Sequence, residues 1–285
     1  MIDLDSYFSR IGYDGPRKAT LETLCELHRL HPQAIPFENL DPLLGRPVKL
    51  DPASLQAKLI DGGRGGYCFE HNLLFADVLR QLGFTVQEGS ARVRWSVPDG
   101  VKTPRVHCLL FVEAEGEDYL ADVGFGGNVL TAPLKLSSRD EQKTPHEDFR
   151  LIDEEDDRVV QEAKINGSWT PLYAYDFAET HPVDYEMGNW LTSAHPQSIF
   201  VNGLLGARCE PGKRYALRDN QLAIHSTDGG TEKKTFGSAA ELRDALTDLF
   251  KLRLDRLEGL DSALAKLTAG KHEPWSQRPA PAGLE

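Results

Sequence analysis

The sequence predicts an α+β protein built from three consecutive units, and changes in the residue pattern along the chain carry that prediction. Apolar residues recur at helical spacing over residues 1–84. Alternating apolar residues separated by turn dipeptides follow over residues 85–190, and both patterns are mixed over residues 191–272. We therefore expect a helical bundle, a small β-barrel or sandwich, and an α/β unit. The Pro-containing tail, residues 273–285, is expected to be mobile.

The helical prediction for the first unit depends on caps and on three-and-four spacing. Residues 20–31 place Leu21, Leu24 and His28 on one face. The segment "DPASLQAKLIDGG" has Asp51 in the position of an N-cap, followed by a proline at the first helical position. A third helix follows "RGGYCFEHN" and is expected to end at Gly83.

The β prediction for the middle of the chain rests on two hairpins. The segments "RVHCLLFV" and "DYLADVGF" flank a loop that contains glycine. Asn166 and Gly167 separate two apolar runs, and both residues tolerate the positive φ of a type I′ turn.

Composition excludes several functional classes for this chain of 285 residues. A net charge of −12 argues against a nucleic-acid partner, because phosphate contacts need clustered Lys and Arg. No apolar stretch approaches the ~20 residues of a membrane span, and the start has no basic segment followed by an apolar run. The four cysteines have irregular spacing, which favours reduced thiols in a cytoplasmic location over disulfides.

Cys68, in "RGGYCFEHN", admits three interpretations: a structural thiol, a zinc ligand with His71, or a nucleophile. Two glycines precede it, so the chain turns sharply and leaves Cys68 in the first turn of a helix, where a thiolate is favoured. A zinc site would need "HC" at His107 and Cys108 as its second half. Adjacent residues of a strand point to opposite faces, so no metal site is predicted.

A nucleophile needs a histidine that a third group orients, and the hairpin offers one. If the strands pair across a loop from Glu113 to Gly116, Val112 faces Glu117. The same register places His107 directly opposite Asp122. His71 is the rival base, one helical turn from Cys68, but no evident carboxylate would orient its ring.

Several motifs together resemble the arylamine N-acetyltransferase family: "IPFENL", "RGGYCFEHN", "RVHCLLFV", "DVGFG" and "DYEMGNWLTSAHPQSIF". The resemblance covers nearly the whole chain. It implies a helical bundle, a central β-barrel and a C-terminal α/β lid, with a site like that of cysteine-protease-like folds. It also implies a triad of Cys68, His107 and Asp122, and ping-pong transfer of acetyl from acetyl-CoA to a small aromatic amine or hydrazine. Acetyl-CoA would be a co-substrate, with no permanently bound cofactor.

Three phenylalanines are candidate walls of an acceptor pocket. Phe37 in "PFEN" and Phe125 in "GFGG" lie near the proposed chemistry in sequence, and the resemblance adds weight to Phe125 and Phe200. Isolated phenylalanines are also common core residues, so packing is the competing interpretation.

Gly124, Gly126 and Gly127 follow the second strand of the hairpin and are candidates for anion binding. Glycines in a loop permit close approach of a ligand and expose N–H groups. The resemblance places the CoA pyrophosphate near here, whereas a tight turn without a ligand is the alternative. Glu38 and Arg64, which are charged residues in apolar motifs, suggest a buried pair that braces the site.

Other enzymes use a Cys, His and Asp in the same order. A transglutaminase-like or peptidase-like thiol enzyme, or an amide synthase that takes its acyl group from a carrier protein, is the alternative function. The expected partners are acetyl-CoA and the acceptor, and self-association into a homo-oligomer stays open.

Overall fold

The structure is a computed structural model, and it describes residues 1–98, 100–255 and 257–270. The predicted tail, residues 273–285, lies outside the described residues. Within them, no helix is long and apolar enough to span a membrane.

The first unit is helical, as predicted. Its elements are α1 (Leu4–Ile11), α2 (Leu21–Ala34), α3 (Leu40–Leu43), α4 (Pro52–Leu55), a π-helix (Gln56–Asp61) and α5 (Cys68–Gln81). The side chain of Asp51 accepts a hydrogen bond from the Ser54 N–H at 3.0 Å, so this residue is an N-cap. The apolar faces of α1, α2 and α5 form one core. Its buried members include Leu24, Leu27 and Phe75.

The second unit is an eight-stranded antiparallel sheet that closes almost completely into a barrel. Its strands are β2 (Thr85–Val93), β3 (Arg105–Ala114), β4 (Glu117–Ala121), β5 (Leu134–Lys135), β6 (Gln142–Lys143), β7 (Asp148–Glu154), β8 (Arg158–Ile165) and β9 (Ser168–Tyr175), in the order β5-β4-β3-β2-β9-β8-β7-β6. The side-chain amide of Gln142 in β6 connects the two edge strands. It accepts from the Lys135 N–H at 2.8 Å and donates to the Lys135 carbonyl at 3.1 Å.

The two predicted hairpins are present, but the register of one differs from the prediction. Asn166 and Gly167 have positive φ and connect β8 to β9. Between β3 and β4 the turn consists only of Glu115 and Gly116, with φ of 55° and 82°. Ala114 therefore pairs with Glu117, and Val112 does not. The expected pairing is wrong by two residues because a two-residue turn with positive φ is tighter than the assumed loop.

In the third unit, the last two helices pack against a second antiparallel sheet. Helices α6 (Pro182–Ala194) and α7 (Ile199–Asn202) lead into β10 (Leu205–Glu210), β11 (Lys213–Arg218), β12 (Gln221–Ser226) and β13 (Thr231–Thr235), followed by α8 (Ala239–Asp248) and α9 (Leu260–Ala269). The edge of this sheet is completed by β1 (Phe37–Glu38), which pairs with β10. A segment of the helical unit thus belongs to the C-terminal sheet. The boundary predicted at residue 190 lies inside α6.

Three parts of the chain converge where α5 begins. Phe37 forms a parallel bridge with Gly66, which places β1 beside the turn that leads into Cys68. The packing at Gly65 is so close that a Cβ atom there would lie 1.9 Å from the Pro36 carbonyl oxygen. Gly65 is therefore required for the approach of β1 to this turn.

Replacing Gly65 by alanine is expected to lower the free energy of unfolding by about 3 kcal/mol, because backbone rather than a flexible side chain must move. Urea unfolding measures the change. Gly237→Ala is the matched control, since its new Cβ would lie 3.8 Å from the nearest atom and have room. Equal unfolding midpoints for the two variants would contradict the packing argument.

Candidate active site

Cys68 is the first residue of α5 and lies almost entirely below the surface, with 5% of its area exposed. Its backbone N–H is in the first turn, where no carbonyl of the helix can accept from it. The preceding N–H, that of Tyr67, donates to the Glu70 carboxylate at 3.2 Å. The Sγ atom lies 3.6 Å from the carbonyl oxygen of Val106 in β3. The thiol is therefore held between a helix start and the strand that carries His107.

His107 and Asp122 form a buried pair, with Nε2 of the histidine 2.7 Å from Oδ2 of the aspartate. The predicted pair is present although the register was wrong. Asp122 comes one residue after the Leu110–Ala121 pair and approaches His107 diagonally, not from directly opposite. Because Nε2 donates to the carboxylate, Nδ1 is the nitrogen that can exchange a proton with Cys68.

The electrostatics of the pair favour a charged imidazolium. Burial by itself lowers the pKa of His107, but the charge and hydrogen bond of Asp122, followed by those of Cys68, raise the pKa to about 10. Burial raises the pKa of Asp122, and His107, Asn72 and the Gly124 N–H outweigh it, so that pKa is lowered overall. The ionised Asp122 carboxylate therefore stabilises the protonated form of His107, the histidine that lies beside Cys68.

Two side chains that the sequence analysis did not assign hold Asp122 in place. Asn72 donates through Nδ2 to Asp122 Oδ1 at 2.9 Å and to the Cys108 carbonyl at 2.7 Å, and its Oδ1 accepts from the Val123 N–H at 3.0 Å. His28 accepts from the Asp122 N–H at 3.1 Å through Nε2. Asn72 is one helical turn after Cys68, a spacing that could have signalled it. His28 gave no local signal.

Replacing Asn72 by alanine is expected to lower kcat about 10- to 100-fold, because the Asp122 carboxylate loses a donor and two buried backbone groups lose their partner. Steady-state kinetics of the expected transfer from acetyl-CoA to an arylamine measure the change. Asn202→Ala, at an exposed amide in α7, is the control and is expected to leave kcat unchanged. A full kcat in the Asn72 variant would show that Asp122 needs no such support.

His71 does not have a nitrogen free to act as the base. Its Nδ1 lies 2.9 Å from Nε2 of His31, and its Nε2 lies 3.2 Å and 3.1 Å from the carbonyl oxygens of Pro36 and Gly66. Burial lowers its pKa to about 4 despite those carbonyls. The geometry thus favours His107 as the base.

The three candidate phenylalanines fall into two groups near Cys68 and His107. Phe37 and Phe200 pack with their ring centroids 6.1 Å apart, and Phe200 also contacts Tyr67. The ring of Phe125 lies edge-on to that of His107 at 5.0 Å. Gly126 connects the two groups, since a Cβ at this residue would lie 3.6 Å from the Phe37 ring.

The three candidate glycines differ in what they do. The Gly124 N–H donates to Asp122 Oδ1 at 2.9 Å, and a Cβ at Gly124 would lie 2.9 Å from the Cα of Cys68. Gly124 therefore packs closely against Cys68 and holds the Asp122 carboxylate, and its N–H is already used. Gly126 has φ of 83°, which favours glycine, and the carbonyl of Gly127 lies 3.4 Å from the Arg214 guanidinium. An anion-binding loop would have to use these two residues.

The suspected pair of Glu38 and Arg64 exists, with Arg64 Nη2 2.7 Å from Glu38 Oε1. Lys58 forms ion pairs with two further carboxylates: its Nζ lies 2.6 Å from Asp41 Oδ2 and 2.7 Å from Glu70 Oε1. These charges pair with one another between β1 and the first turn of α5, which is consistent with bracing.

Known proteins are similar to this chain over nearly its whole length. A family model described as N-acetyltransferase matches residues 20–258. The arylamine N-acetyltransferase of Mycolicibacterium smegmatis is 44% identical over 264 residues, which cover 91% of this chain and 95% of the relative. A Salmonella typhimurium relative named arylamine N-acetyltransferase / N-hydroxyarylamine O-acetyltransferase is 43% identical over 250 residues, covering 87% and 88%.

The fold agrees as well. The structure of the Mycobacterium marinum arylamine N-acetyltransferase in complex with CoA matches with a TM-score of 0.89 and 40% identity, over 93% of this chain and 99% of that one. Sequence and structure lead to the same assignment: the chain belongs to the arylamine N-acetyltransferase family.

Proposed function

We propose that this chain transfers an acetyl group from acetyl-CoA to the nitrogen of arylamines or arylhydrazines by a ping-pong mechanism through an acetyl-Cys68 thioester. The observation that carries the mechanism is the contact of His107 with Asp122 at 2.7 Å beside a cysteine at a helix start. The names of the relatives support the acceptor class, and the CoA complex of the M. marinum enzyme supports the donor.

In the first half-reaction the Cys68 thiolate attacks the thioester carbonyl of acetyl-CoA. The N–H of Cys68 is directed at the developing oxyanion. The bond from carbon to the CoA sulfur breaks, and the imidazolium of His107 donates its Nδ1 proton to the leaving CoA thiolate. The products are free CoA and acetyl-Cys68, and His107 is left neutral.

In the second half-reaction the amine nitrogen attacks acetyl-Cys68 while His107 Nδ1 accepts the proton from that nitrogen. The bond from carbon to Sγ breaks, and the N-acetyl product leaves. The thiolate and the imidazolium are restored. Asp122 keeps the ring oriented and stabilises its charged form in both steps. The C-terminal α/β unit is proposed to act as a lid that keeps water from the thioester.

The loop at Gly126 and Gly127 is proposed to hold the CoA pyrophosphate through backbone N–H groups. Positive φ at Gly126 is a conformation found in anion-binding backbone loops. The net charge of the chain is −12, which repels anions. Uncharged backbone N–H groups that point at the pyrophosphate would give a local site for it. Four free thiols support a cytoplasmic location.

Phe37, Phe125 and Phe200 are proposed to enclose the aryl ring of the acceptor. Phe200→Ala is expected to lower kcat/KM for an arylamine about 10- to 100-fold, the discrimination that a hydrophobic pocket provides. The rate of Cys68 acetylation by acetyl-CoA is expected to change little. The Phe200 ring packs on Phe37 and Tyr67, whereas the polar contacts of Cys68 and His107 are made with Val106 and Asp122.

Ile199→Ala is the matched control, at an adjacent and more exposed position of α7. A panel of arylamines, arylhydrazines and alkylamines, measured at saturating acetyl-CoA, separates the effects. Equal losses for aryl and alkyl acceptors in the Phe200 variant would overturn the pocket assignment.

A further inference from the structure

The imidazole of His71 joins the two segments that carry Phe37 and Cys68. Its Nε2 lies between the carbonyl oxygens of Pro36 and Gly66, at 3.2 Å and 3.1 Å. These carbonyls belong to the two sides of the bridge between Phe37 and Gly66. One N–H group therefore connects the segment of β1 to the turn that leads into Cys68.

The acceptors determine how the protons are arranged. Carbonyl oxygens only accept, so Nε2 of His71 carries its proton and Nδ1 of the neutral ring accepts. The partner of Nδ1 is His31 Nε2, which must donate, at 2.9 Å. His31 Nδ1 in turn accepts from the Tyr7 hydroxyl at 3.0 Å. The chain of donors runs in one direction from Tyr7 through His31 to His71.

This chain is deep in the first unit, and its environment keeps it neutral. Tyr7 and His31 have no exposed surface, and His71 is 1% exposed. Burial lowers the pKa of both histidines, to about 4 for His71. A buried imidazole with both nitrogens satisfied has a single orientation, because rotation would leave a buried polar group without a partner.

The same ring is parallel to Phe37, with an interplanar angle of 8° and centroids 6.4 Å apart. Two backbone bonds already connect these segments: Glu38 N–H to the Gly66 carbonyl at 2.8 Å and Gly66 N–H to the Pro36 carbonyl at 3.3 Å. His71 adds a second donor to each carbonyl and places an aromatic surface beside Phe37.

We propose that His71 is a positioning residue for the acetyl acceptor: through the Tyr7–His31–His71 chain it sets where Phe37 stands relative to Cys68. The proposal rests on the proposed function of the site. It assigns His71 to the second half-reaction, in which an aryl ring beside Phe37 must bring its nitrogen to acetyl-Cys68. Acceptors without a ring do not use that alignment.

His71→Phe tests the proposal because it keeps a planar ring and removes both nitrogens. At saturating acetyl-CoA, kcat/KM for an arylamine is expected to fall about 10- to 100-fold, whereas kcat/KM for unsubstituted hydrazine falls much less. His71→Gln retains an N–H near the position of Nε2 and is expected to recover most of the loss for the arylamine.

Leu151→Ala, in the core of the barrel, is the control for stability alone. It is expected to lower the melting temperature while it keeps the wild-type ratio of arylamine to hydrazine rates. A folded His71→Phe variant with the wild-type ratio, or with equal losses for both acceptors, would overturn the proposal.

A second measurement needs no variant and no acetyl-CoA. Nitrogen-15 NMR of the histidine rings in the wild-type protein at pH 6.5 is expected to show His31 and His71 as neutral Nε2–H tautomers. Protonated rings, or Nδ1–H tautomers, would overturn the arrangement. Failure of the proposed function is seen separately, as a wild-type protein that acquires no acetyl group on Cys68.

Discussion

Cys68→Ser is expected to lower acetyl transfer by at least about 10⁴-fold, because a serine hydroxyl beside a histidine is a much weaker nucleophile than a thiolate paired with an imidazolium. The side chain changes by one atom, and the start of α5 keeps its backbone contacts. Steady-state turnover of acetyl-CoA with an arylamine measures the loss.

Cys25→Ser is the matched control, since Cys25 is a free, partly buried thiol of α2 outside the proposed triad. It is expected to retain wild-type turnover. Retention of more than about a tenth of the activity by the Cys68 variant would contradict a covalent route, since removal of a required nucleophile costs far more than that.

Asp122→Asn is expected to lower kcat about 10³- to 10⁴-fold, as in other triads whose aspartate becomes an amide. The amide no longer stabilises the imidazolium of His107, and its NH2 group can impose the wrong tautomer on the ring. Asp118→Asn, at an exposed carboxylate of β4, is the control and is expected to keep its kcat.

The same variant changes how stability depends on pH. The folded-state pKa of His107 is raised to about 10, so its contribution to stability is complete below its ordinary value near 6.5 and is lost as the pH rises through 10. The pKa of Asp122 is lowered in the folded state, so this residue affects stability at acid pH. Its contribution to the free energy of unfolding is lost as the pH falls below about 3.8.

The melting temperature of the wild type is thus expected to exceed that of Asp122→Asn most between about pH 5 and 7, and the difference should shrink toward pH 10. Thermal unfolding of both proteins over this range measures it. A difference that grows with pH would contradict the assignment of charge to the His107–Asp122 pair.

Local patterns were sufficient to predict the parts of the fold that depend on neighbouring residues. Asp51 followed by Pro52 predicts a helix start, and Asn166–Gly167 predicts a hairpin, because caps and two-residue turns are determined within a few residues. The β3–β4 turn shows the limit. Glu115 has positive φ, a conformation that its residue type does not indicate, so the sequence allowed a longer loop and the register was wrong by two residues.

The site was predictable where strand alternation and helix position determine it, and not where distant helices supply the contacts. His107 and Asp122 share a hairpin, so their approach survived the register error through a diagonal contact. His28 reaches the Asp122 N–H across 94 residues of chain. Such contacts depend on how α2 packs against α5 and the barrel, which no local pattern specifies. Gly124 lies in a glycine-rich loop and was therefore a candidate for ligand binding. Its close packing against Cys68 could not be predicted, because the two residues are far apart in the sequence.

Intact-mass spectrometry of the wild-type protein after mixing with acetyl-CoA tests the central claim most directly. The covalent mechanism predicts a mass increase of one acetyl group, located on Cys68 by peptide mapping, and its disappearance when an arylamine is added. The Cys68→Ser protein should show no such thioester. A wild-type protein that turns over acetyl-CoA and arylamine without ever carrying an acetyl group on Cys68 would contradict the account.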